Sequence, residues 1–408
     1  MKNKINNIVI FTLDYPYTLG ESFLEMEVEV LSKKFDNVYI IPSRKSKIVR
    51  ETPNNVQVLD IITNTSREIK FSIIIKNLWS ILSIFHFSIF NESFPKYIRN
   101  WKSFLHYMAI EFNRLKIVER FIVNNNLKNA IFYDYWFVNN TLLLSELVKK
   151  RIISVAISRA HGFDVFDERQ FEDIVPFRKY KIKYLKKVFV ISKEGLNYFR
   201  TKIDKKYWPK IELNYLGVKI PEYIEKHNTR DYKLVVSCSR LISSKQIDLI
   251  IESLSMLKLK IKWVHFGDGV LMKDLMQLSK TLPQNIKYEF AGEVDNKWIL
   301  NFYKTTKPDL FISMSVLEGL PVSIMEALSY GIPVVAISVN GIPELVNYEN
   351  GILVHPKDAN KHYVSQKIAE GLSKNWDRKK IVGLHTKTFN GENNYVNFAN
   401  RIQELAHR

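Results

Sequence analysis

Two glutamates eight residues apart, on either side of a helix start, offer the clearest chemistry in the sequence. Glu318 follows an apolar run over 309–314, and Glu326 lies in a helical pattern that begins at Pro321. Proline is tolerated in a first helical turn, where its missing N–H is not needed. The free N–H groups of that turn and the helix dipole favour a phosphate. Carboxylates beside such a site accept hydrogen bonds from hydroxyl groups, so the segment predicts a nucleotide-sugar site.

A basic pair lies earlier in the chain, between a strand pattern over 233–237 and the next helical pattern. It consists of Arg240 and Lys245. The planar guanidinium of arginine can donate two hydrogen bonds to phosphate oxygens, and the ammonium group of lysine binds them as a point charge. When a sugar–phosphate bond breaks, fixed cations beside the leaving diphosphate stabilise the transition state more than the ground state. Two surface cations are the simpler explanation of this pair alone, but the neighbouring Glu318 segment favours the catalytic one.

Glycine-containing turns follow several predicted strands. Gly267 lies in such a turn, which alone is weak evidence, and Gly292 with Glu293 follows the next strand, where the main chain could lie against a nucleotide base. In the first half, Gly20 precedes a helix and allows close approach of a ligand to the main chain. We expect all four residues on the donor side of a site.

One histidine in the first half lies just past a strand pattern. A lone histidine is more often structural, but His161 has Arg159 and Asp164 close by, which favours a position facing a cleft. Tyr135 and Trp136 follow another strand end. Together with Asp164 they are predicted to shape the side on which an acceptor binds.

These residues require elements that end at a common edge. Short apolar runs alternate with longer amphipathic ones, which predicts an α/β fold with parallel sheets covered by helices. The predicted strands are 8–13, 38–42, 56–59, 130–133, 154–158, 188–192, 233–237, 261–266, 286–290, 310–314 and 334–337. The predicted helices are 22–34, 71–90, 101–124, 140–150, 193–201, 247–257, 271–282, 296–305, 322–330, 342–346 and, after an irregular 389–394, 395–405.

The length of 408 residues favours two domains over one core. The predicted division is a first domain 1–217, a polar linker 218–231, a second domain 232–388 and a C-terminal segment 389–408 that packs back on the first domain. Two open α/β domains bind ligands outside the carboxyl ends of their strands. We therefore expect the site in a cleft between them.

Composition restricts the environment of the chain. Its only cysteine, Cys238, excludes an intramolecular disulfide and fits a reducing compartment, where it is best explained as a small buried hydrophobe. No signal peptide is visible at the N-terminus. The stretch 71–90 is interrupted by Lys76, Asn77 and His86, so it predicts a buried or interfacial helix and not a membrane span.

The net charge of +18 is concentrated in residues 178–210, with twelve lysines and arginines against two acidic residues. A solvated helical face is the commoner outcome for such a run. Aromatic residues between the lysines, and a Phe-, Ile- and Trp-rich region over 71–107, favour a surface for the anionic inner face of a membrane. No nucleic-acid-binding motif is present, so we expect no nucleic-acid partner.

Taken together, these motifs resemble family 4 glycosyltransferases, which are retaining enzymes of GT-B fold. The resemblance rests on the order and spacing of four motifs: Arg240 with Lys245, the turn 267–269, Glu318 with Glu326, and the run 341–344. The run 158–164 is similar to members that build bacterial capsule, exopolysaccharide or O-antigen. The chain departs from the family at four places. Ser239, Gln246 and Asn340 replace usual glycines, and the first loop has one glycine where two are usual.

The resemblance implies two Rossmann-like domains facing each other across a cleft, and it implies roles for the residues. Arg240 and Lys245 hold the donor diphosphate, Glu318 contacts hydroxyls of the transferred sugar, Glu326 binds the ribose and His161 lies beside the donor sugar. The main chain that meets the phosphates is Gly319, Leu320, Pro321 and Val322. No metal or cofactor is expected, in agreement with the lack of an Asp-x-Asp motif or a His/Cys cluster.

The expected function is transfer of a hexose from a UDP- or GDP-linked donor to a hydroxyl of a lipid-linked glycan, during synthesis of a bacterial surface polysaccharide. Retention without an evident nucleophile favours a front-side mechanism, although a covalent route through Glu318 or Asp164 stays open. The enzyme is expected in the cytoplasm, peripheral on the inner face of the plasma membrane.

Two other functions fit parts of the pattern. A GT-B epimerase would use the same nucleotide-sugar cleft without an acceptor. A non-catalytic partner subunit would bind a membrane or another transferase through its basic segment, but the joint presence of Arg240, Lys245, Glu318 and Glu326 argues against it.

Overall fold

The computed structural model describes residues 7–63, 71–88, 94–222 and 230–406. Its contacts divide the chain into two compact units. Unit 1 contains the chain up to Asn214 and the segment from Tyr395 onwards, and unit 2 contains Tyr215–Asn394. Each unit is built on its own parallel sheet, which confirms the predicted α/β class.

Unit 1 has a seven-stranded parallel sheet in the order β3-β2-β1-β4-β5-β6-β7. The central strands are buried along almost their whole length, as expected where helices cover both faces of a sheet. The strands are β1 Asn7–Thr12, β2 Asn37–Pro42, β3 Val56–Val58, β4 Ile131–Asp134, β5 Val155–Ala160, β6 Lys187–Val190 and β7 Ile211–Leu213. Within the described residues, its α-helices before β8 are α1 Leu24–Lys34, α2 Phe71–Lys76, α3 Leu78–Ser88, α4 Phe94–Arg99, α5 Trp101–Asn124, α6 Thr141–Lys149, α7 Gly162–Val165, α8 Arg178–Tyr184 and α9 Lys193–Thr201.

Unit 2 has a six-stranded parallel sheet in the order β10-β9-β8-β11-β12-β13. Its strands are β8 Lys233–Cys238, β9 Ile261–Phe266, β10 Ile286–Phe290, β11 Leu310–Ser313, β12 Val334–Ile337 and β13 Gly351–Val354. Its helices are α10 Ile247–Ser255, α11 Met272–Ser279, α12 Asn296–Thr306, α13 Val322–Ser329, α14 Ile342–Leu345, α15 Lys361–Ser373 and α16 Arg378–Phe389. The last helix, α17 Gly391–Ala406, passes into unit 1 at Tyr395.

The predicted elements agree with the structure to within a few residues, and the bounds of α5, α9, β9, β10 and β12 coincide. The predicted helix 71–90 is two helices, α2 and α3, with residues 89 and 90 outside the described part of the chain. The irregular segment predicted over 389–394 is wrong, because α16 ends at Phe389 and α17 begins at Gly391. The sequence missed β7, β13, α4, α7, α8, α15 and α16.

A buried ion pair joins the sheet of unit 1 to its first helix. Arg159 on β5 donates from Nη2 to Glu27 Oε1 of α1 at 3.0 Å, and neither side chain is exposed. Tyr133 on β4 accepts from Arg159 Nε at 2.8 Å and donates to Glu27 at 2.9 Å. The guanidinium lies 4.4 Å from the ring centroid of Phe398, so α17 packs at this same cluster.

Removing the cation alone should strongly destabilise unit 1. We expect Arg159→Leu to lower the free energy of unfolding by about 3–5 kcal/mol, because it leaves Glu27 buried without its partner. The double variant with Glu27→Leu should recover most of that loss in urea unfolding. Equal losses in the single and double variants would show that the charge of Glu27 is not the cause.

Candidate active site

Five loops at the carboxyl edge of the unit 2 sheet are joined to each other by main-chain hydrogen bonds. They follow β10, β9, β8, β11 and β12, and neighbouring loops are bonded in the order of the strands. The bonds run from Gly267 N to Gly292 O (2.8 Å), Ser239 N to Phe266 O (3.0 Å), Leu241 N to Asp268 O (2.9 Å), Val316 N to Ser244 O (3.0 Å) and Gly341 N to Gly319 O (3.0 Å). The predicted donor-binding residues of unit 2 therefore lie along one edge.

Glycine permits these close approaches. Gly267 has φ of +126°, and a Cβ on it would lie 2.0 Å from the carbonyl oxygen of Ser239. A Cβ on Gly341 would lie 2.3 Å from the carbonyl oxygen of Gly319. Two residues that replace glycines of the resembled family, Gln246 and Asn340, keep a left-handed backbone with φ of +45° and +46°. The side chains have changed at these positions, but the backbone geometry that suits glycine remains.

The predicted phosphate-binding lysine contacts the predicted sugar-binding carboxylate. Lys245 Nζ forms an ion pair with Glu318 Oε1, and the two side chains are only 16% and 14% exposed. Lys245 ends a single 3₁₀ turn over Ser243–Lys245, just after the loop that carries the exposed Arg240. Two cations and a carboxylate of the predicted set thus lie on neighbouring loops.

Helix α13 begins at Val322, the first residue of the predicted helix 322–330. Pro321 is its N-cap, with φ of −70° and ψ of 117°, and Val322 is the first helical residue. The first amides of any α-helix lack partners within the helix. Those of α13 follow directly on Gly319 and the buried Leu320, so an anion at this edge would meet a helix N-terminus.

Glu326 lies one turn further along α13 and is buried. Its side chain is 6% exposed, and Oε1 accepts a hydrogen bond from Asn296 Nδ2 at 2.7 Å. Burial raises the pKa of this carboxyl to about 7. Gly292 has φ of +73° and the adjacent Glu293 is exposed, so the loop after β10 offers mainly its main chain. Burial also raises the pKa of the nearby Cys238 thiol to about 12, which leaves it unreactive at neutral pH.

In unit 1, His161 follows β5 as predicted from sequence and has a buried ring. Neither ring nitrogen has a hydrogen-bond partner among the described residues, and the ring centroid lies 4.4 Å from that of Trp136 and 4.7 Å from that of Tyr135. Burial, with a smaller contribution from Arg159, lowers its pKa well below the ordinary value. His161 is therefore a neutral imidazole that can donate one hydrogen bond from one ring nitrogen and accept one at the other.

Asp164 contacts the main chain. Its Oδ1 accepts from the N–H of His161 and its Oδ2 from the N–H of Phe137, the latter at 2.6 Å. Burial raises the pKa of this carboxyl to about 8. The contacts tie the loop after β4 to the loop after β5, so Asp164 positions both loops. Its predicted place on the acceptor side stays a prediction.

Glu21 organises the loop after β1, a role that sequence reasoning missed. Its Oε2 accepts from the N–H groups of Asp14 (2.7 Å) and Tyr15 (2.6 Å), and its Oε1 accepts from Trp136 Nε1. Glu21 lies three residues before the start of α1. Gly20 is exposed beside it.

The segment 178–210 is not the continuous basic surface that the sequence predicted. Arg178 is buried and paired with Asp167 at 2.8 Å, and Lys181 is buried with Nζ 2.9 Å from Phe137 O. Lys210 donates to three carbonyls at the end of α8. These cations stabilise unit 1. Of the twelve lysines and arginines in the segment, only Lys183, Lys193, Lys205 and Lys206 are exposed.

Among the described residues, no group of three or more His, Cys, Asp or Glu side chains could hold a metal ion. Within that same part of the chain, no helix has both the length and the hydropathy needed to cross a membrane.

Comparison with known proteins identifies the domain that carries this edge. Residues 219–382 match the family model of glycosyl transferases group 1. The putative teichuronic acid biosynthesis glycosyltransferase TuaC of Bacillus subtilis is 28% identical over 144 residues, which are 35% of this chain and 33% of TuaC. The chain thus spans about a third of the length of such curated relatives.

Two solved structures are similar over nearly the whole chain. The lipopolysaccharide outer core galactosyltransferase WaaB has a TM-score of 0.68 at 14% identity, covering 98% of this chain and 99% of that one. HepE of Anabaena, in complex with UDP, has a TM-score of 0.66 at 14% identity, covering 98% and 100%. At this identity the similarity shows the fold alone, and the predicted GT-B fold is confirmed.

A methyl group on Gly267 should disrupt the packing of the loops at the carboxyl edge of the unit 2 sheet. We expect Gly267→Ala to lower the free energy of unfolding by more than about 2 kcal/mol, because alanine is strained at this φ and its Cβ meets a carbonyl oxygen. Gly383→Ala is the matched control, since a Cβ there meets nothing within 4 Å, and it should gain about 0.5–1 kcal/mol within α16. Similar stabilities of the two variants in urea unfolding would contradict the packing of these loops.

Proposed function

We propose that the chain is a retaining, metal-independent glycosyltransferase of family 4. It transfers a hexose from a UDP- or GDP-linked donor to a hydroxyl of a lipid-linked glycan in bacterial surface polysaccharide synthesis. The observation that carries the proposal is the common edge of unit 2. There Lys245 pairs with Glu318, Arg240 lies on the same loop as Lys245, and Glu326 lies in the first turns of α13. The match to glycosyl transferases group 1 and the GT-B fold support it. The similarity to TuaC, of teichuronic acid biosynthesis, and to WaaB, of the lipopolysaccharide outer core, favours a surface polysaccharide product.

In the proposed donor complex each part of the nucleotide sugar meets a different group. Glu326 accepts hydrogen bonds from the ribose hydroxyls, and its low exposure keeps water from competing. The diphosphate lies between the first turn of α13 and the cations Arg240 and Lys245. Glu318 accepts from hydroxyls of the sugar, and His161 contributes a neutral hydrogen bond.

The contacts favour a front-side reaction. The bond from the anomeric carbon to the diphosphate breaks while the acceptor oxygen attacks from the same face, and the acceptor proton passes to a diphosphate oxygen. The carboxylate of Asp164 is occupied by main-chain N–H groups, and that of Glu318 is paired with Lys245. Neither is arranged as a nucleophile, whereas Arg240 and Lys245 can stabilise the charge on the leaving group.

Loss of Arg240 tests this function directly. We expect Arg240→Ala to lower the rate of hexose transfer by about 10²–10³-fold, because a cation that stabilises the leaving diphosphate is removed. Transfer from labelled UDP- and GDP-sugars to a lipid extract of the source bacterium measures it. Lys273→Ala removes an exposed cation on α11 and should leave the rate unchanged. Full activity of Arg240→Ala would refute the site assignment.

Nucleotide binding should depend on the ionisation of Glu326. The ionised carboxylate accepts from both ribose hydroxyls, and burial raises its pKa to about 7, so the affinity for UDP or GDP should rise as pH increases from 6 to 8. Glu326→Gln should weaken binding about tenfold at pH 8 and remove most of this dependence. Titration calorimetry measures the affinity at each pH. Because the nucleotide also changes its ionisation over this range, the pH dependence that remains in the variant is that of the nucleotide. An unchanged pH profile in the variant would exclude this role.

We further propose that the protein is peripheral on the cytoplasmic face of the plasma membrane and contacts it through α2 and α3. Ile75, Leu78, Trp79 and Leu82 are exposed at helical spacing, and Trp79 is 86% exposed. The described stretch 71–88 contains no acidic residue. The exposed Lys183 of α8 lies 4.9 Å from the ring centroid of Phe87 at the end of α3. Basic and aromatic groups side by side suit an anionic bilayer surface.

This apolar face can be tested with vesicles. The double variant with Trp79→Ser and Leu82→Ser should lower the affinity for phosphatidylglycerol vesicles about tenfold in cosedimentation. The reason is that two large apolar side chains no longer enter the membrane interface. Tyr348→Ser, an 81% exposed aromatic residue of unit 2, is the control and should not change binding. High salt should weaken binding of the unchanged protein. Vesicle binding that is equal in both variants would place the membrane contact elsewhere.

A further inference from the structure

Unit 1 contains a cavity of about 750 Å³ at the carboxyl ends of its central strands. Its wall includes Leu13 after β1, Ser43 after β2, Val138 after β4 and Phe163 after β5. Sites for small molecules in proteins have volumes of this order and commonly lie at this edge of a parallel sheet. None of the predicted donor-binding residues is among the residues that line this cavity.

One end of the cavity is cationic. Arg114 on α5 donates from Nη1 to Asn140 Oδ1 at 3.1 Å, and Asn140 Nδ2 donates to Ser43 Oγ at 3.3 Å. Arg44 and Lys45 follow Ser43 directly and line the cavity with Arg114. A hydrogen-bonded chain thus gathers three cations from two separate parts of unit 1.

The nearby carboxylates do not cancel this charge. Glu111 is the only acidic residue in the described lining and lies 3.8 Å from Arg114, but burial raises its pKa to about 8. Arg44 lies 3.7 Å from Asp14 and Lys45 lies 2.5 Å from Asp60, but both cations are more than half exposed. Exposed pairs of this kind are worth at most about 1 kcal/mol, so a stronger anion can replace either carboxylate.

The other end of the cavity is apolar. Phe104, Tyr107 and Ile174 line it together with Phe171, which is 63% exposed. The ring of Phe104 lies 5.9 Å from that of Phe177, and Phe177 lies 5.9 Å from Phe85 of α3. The apolar end is therefore joined through packed aromatic rings to the helices that carry the exposed apolar face.

We propose that this cavity binds an amphipathic phosphate: a phosphate or diphosphate group held by Arg44, Lys45 and Arg114, with an apolar chain against Phe104 and Phe171. The inference rests on the proposed function, since the ligand is then the lipid-linked acceptor. Phe163 lies two residues from His161, so the cavity wall continues into the loop that presents the imidazole. A prenyl diphosphate and a phospholipid-like headgroup share this chemistry.

Binding of soluble analogues tests the proposal without any donor. In titration calorimetry the full chain should bind farnesyl diphosphate at least about tenfold more tightly than farnesol or inorganic diphosphate, because only the first engages both ends. The double variant with Arg44→Gln and Lys45→Gln should lose about tenfold or more in affinity for farnesyl diphosphate. Lys47→Gln is the matched control, an exposed cation of the same loop that does not line the cavity, and should keep the full affinity.

A second variant tests the apolar end. Phe171→Ser should weaken farnesyl diphosphate several-fold and leave the weak binding of inorganic diphosphate unchanged. Lysophosphatidylglycerol distinguishes the two sources of phosphate: binding that depends on Arg44 and Lys45 supports a phospholipid-like acceptor, and preference for farnesyl diphosphate supports a prenyl diphosphate.

Three results would overturn the proposal: no binding of either amphiphile, unchanged affinity in the double variant, or full competition by UDP or GDP, which would move the site to unit 2. The nucleotide affinity of Glu326→Gln is measured without an acceptor. A result that refutes binding in the cavity can therefore be distinguished from one that refutes the proposed donor site.

Discussion

The main-chain hydrogen bonds between the five loops of unit 2 are the constraint on which the candidate site depends. They fix the loops after β10, β9, β8, β11 and β12 against one another in the order of the strands. Arg240 and Glu318 are 78 positions apart in the chain, yet their loops are joined through Ser244 and Val316. Because Gly267 and Gly341 meet carbonyl oxygens, larger side chains cannot enter without moving a loop. Such pre-organisation of charged groups is what stabilises a transition state without reorganisation.

Unit 1 uses buried charge differently, to hold its loops. Glu21 and Asp164 accept main-chain N–H groups, and Arg159 with Glu27 joins β5 to α1. Each contact replaces hydration that burial removes, because a charged group without a partner in the interior is costly. As a result Trp136 and His161 are fixed at the edge of the sheet by groups that need not touch a ligand themselves.

Much of this organisation could be predicted from the sequence, where the information is local. Strong helical periodicity gave α5, and short apolar runs gave β9 and β12 with their observed bounds. Helix α15 could also have been found, because Val364, Ile368 and Leu372 recur at four-residue spacing after the N-cap Asn360. The roles of Glu21 and Asp164 could not, since their partners lie on loops that only the fold brings near. For the same reason, a run of cations over 178–210 does not reveal that Arg178 is paired with Asp167.

The pair formed by Lys245 and Glu318 couples the two halves of the proposed donor. Without ligand each neutralises the other in a largely buried position. A nucleotide diphosphate alone would draw Lys245 away and leave Glu318 without its cation, at a cost that offsets part of the new contact. A complete nucleotide sugar exchanges both partners at once, because its phosphate takes the lysine and its hydroxyl groups take the carboxylate. In the proposed donor complex the ion pair would therefore favour the intact donor over the nucleotide product, and it would re-form as the sugar leaves Glu318.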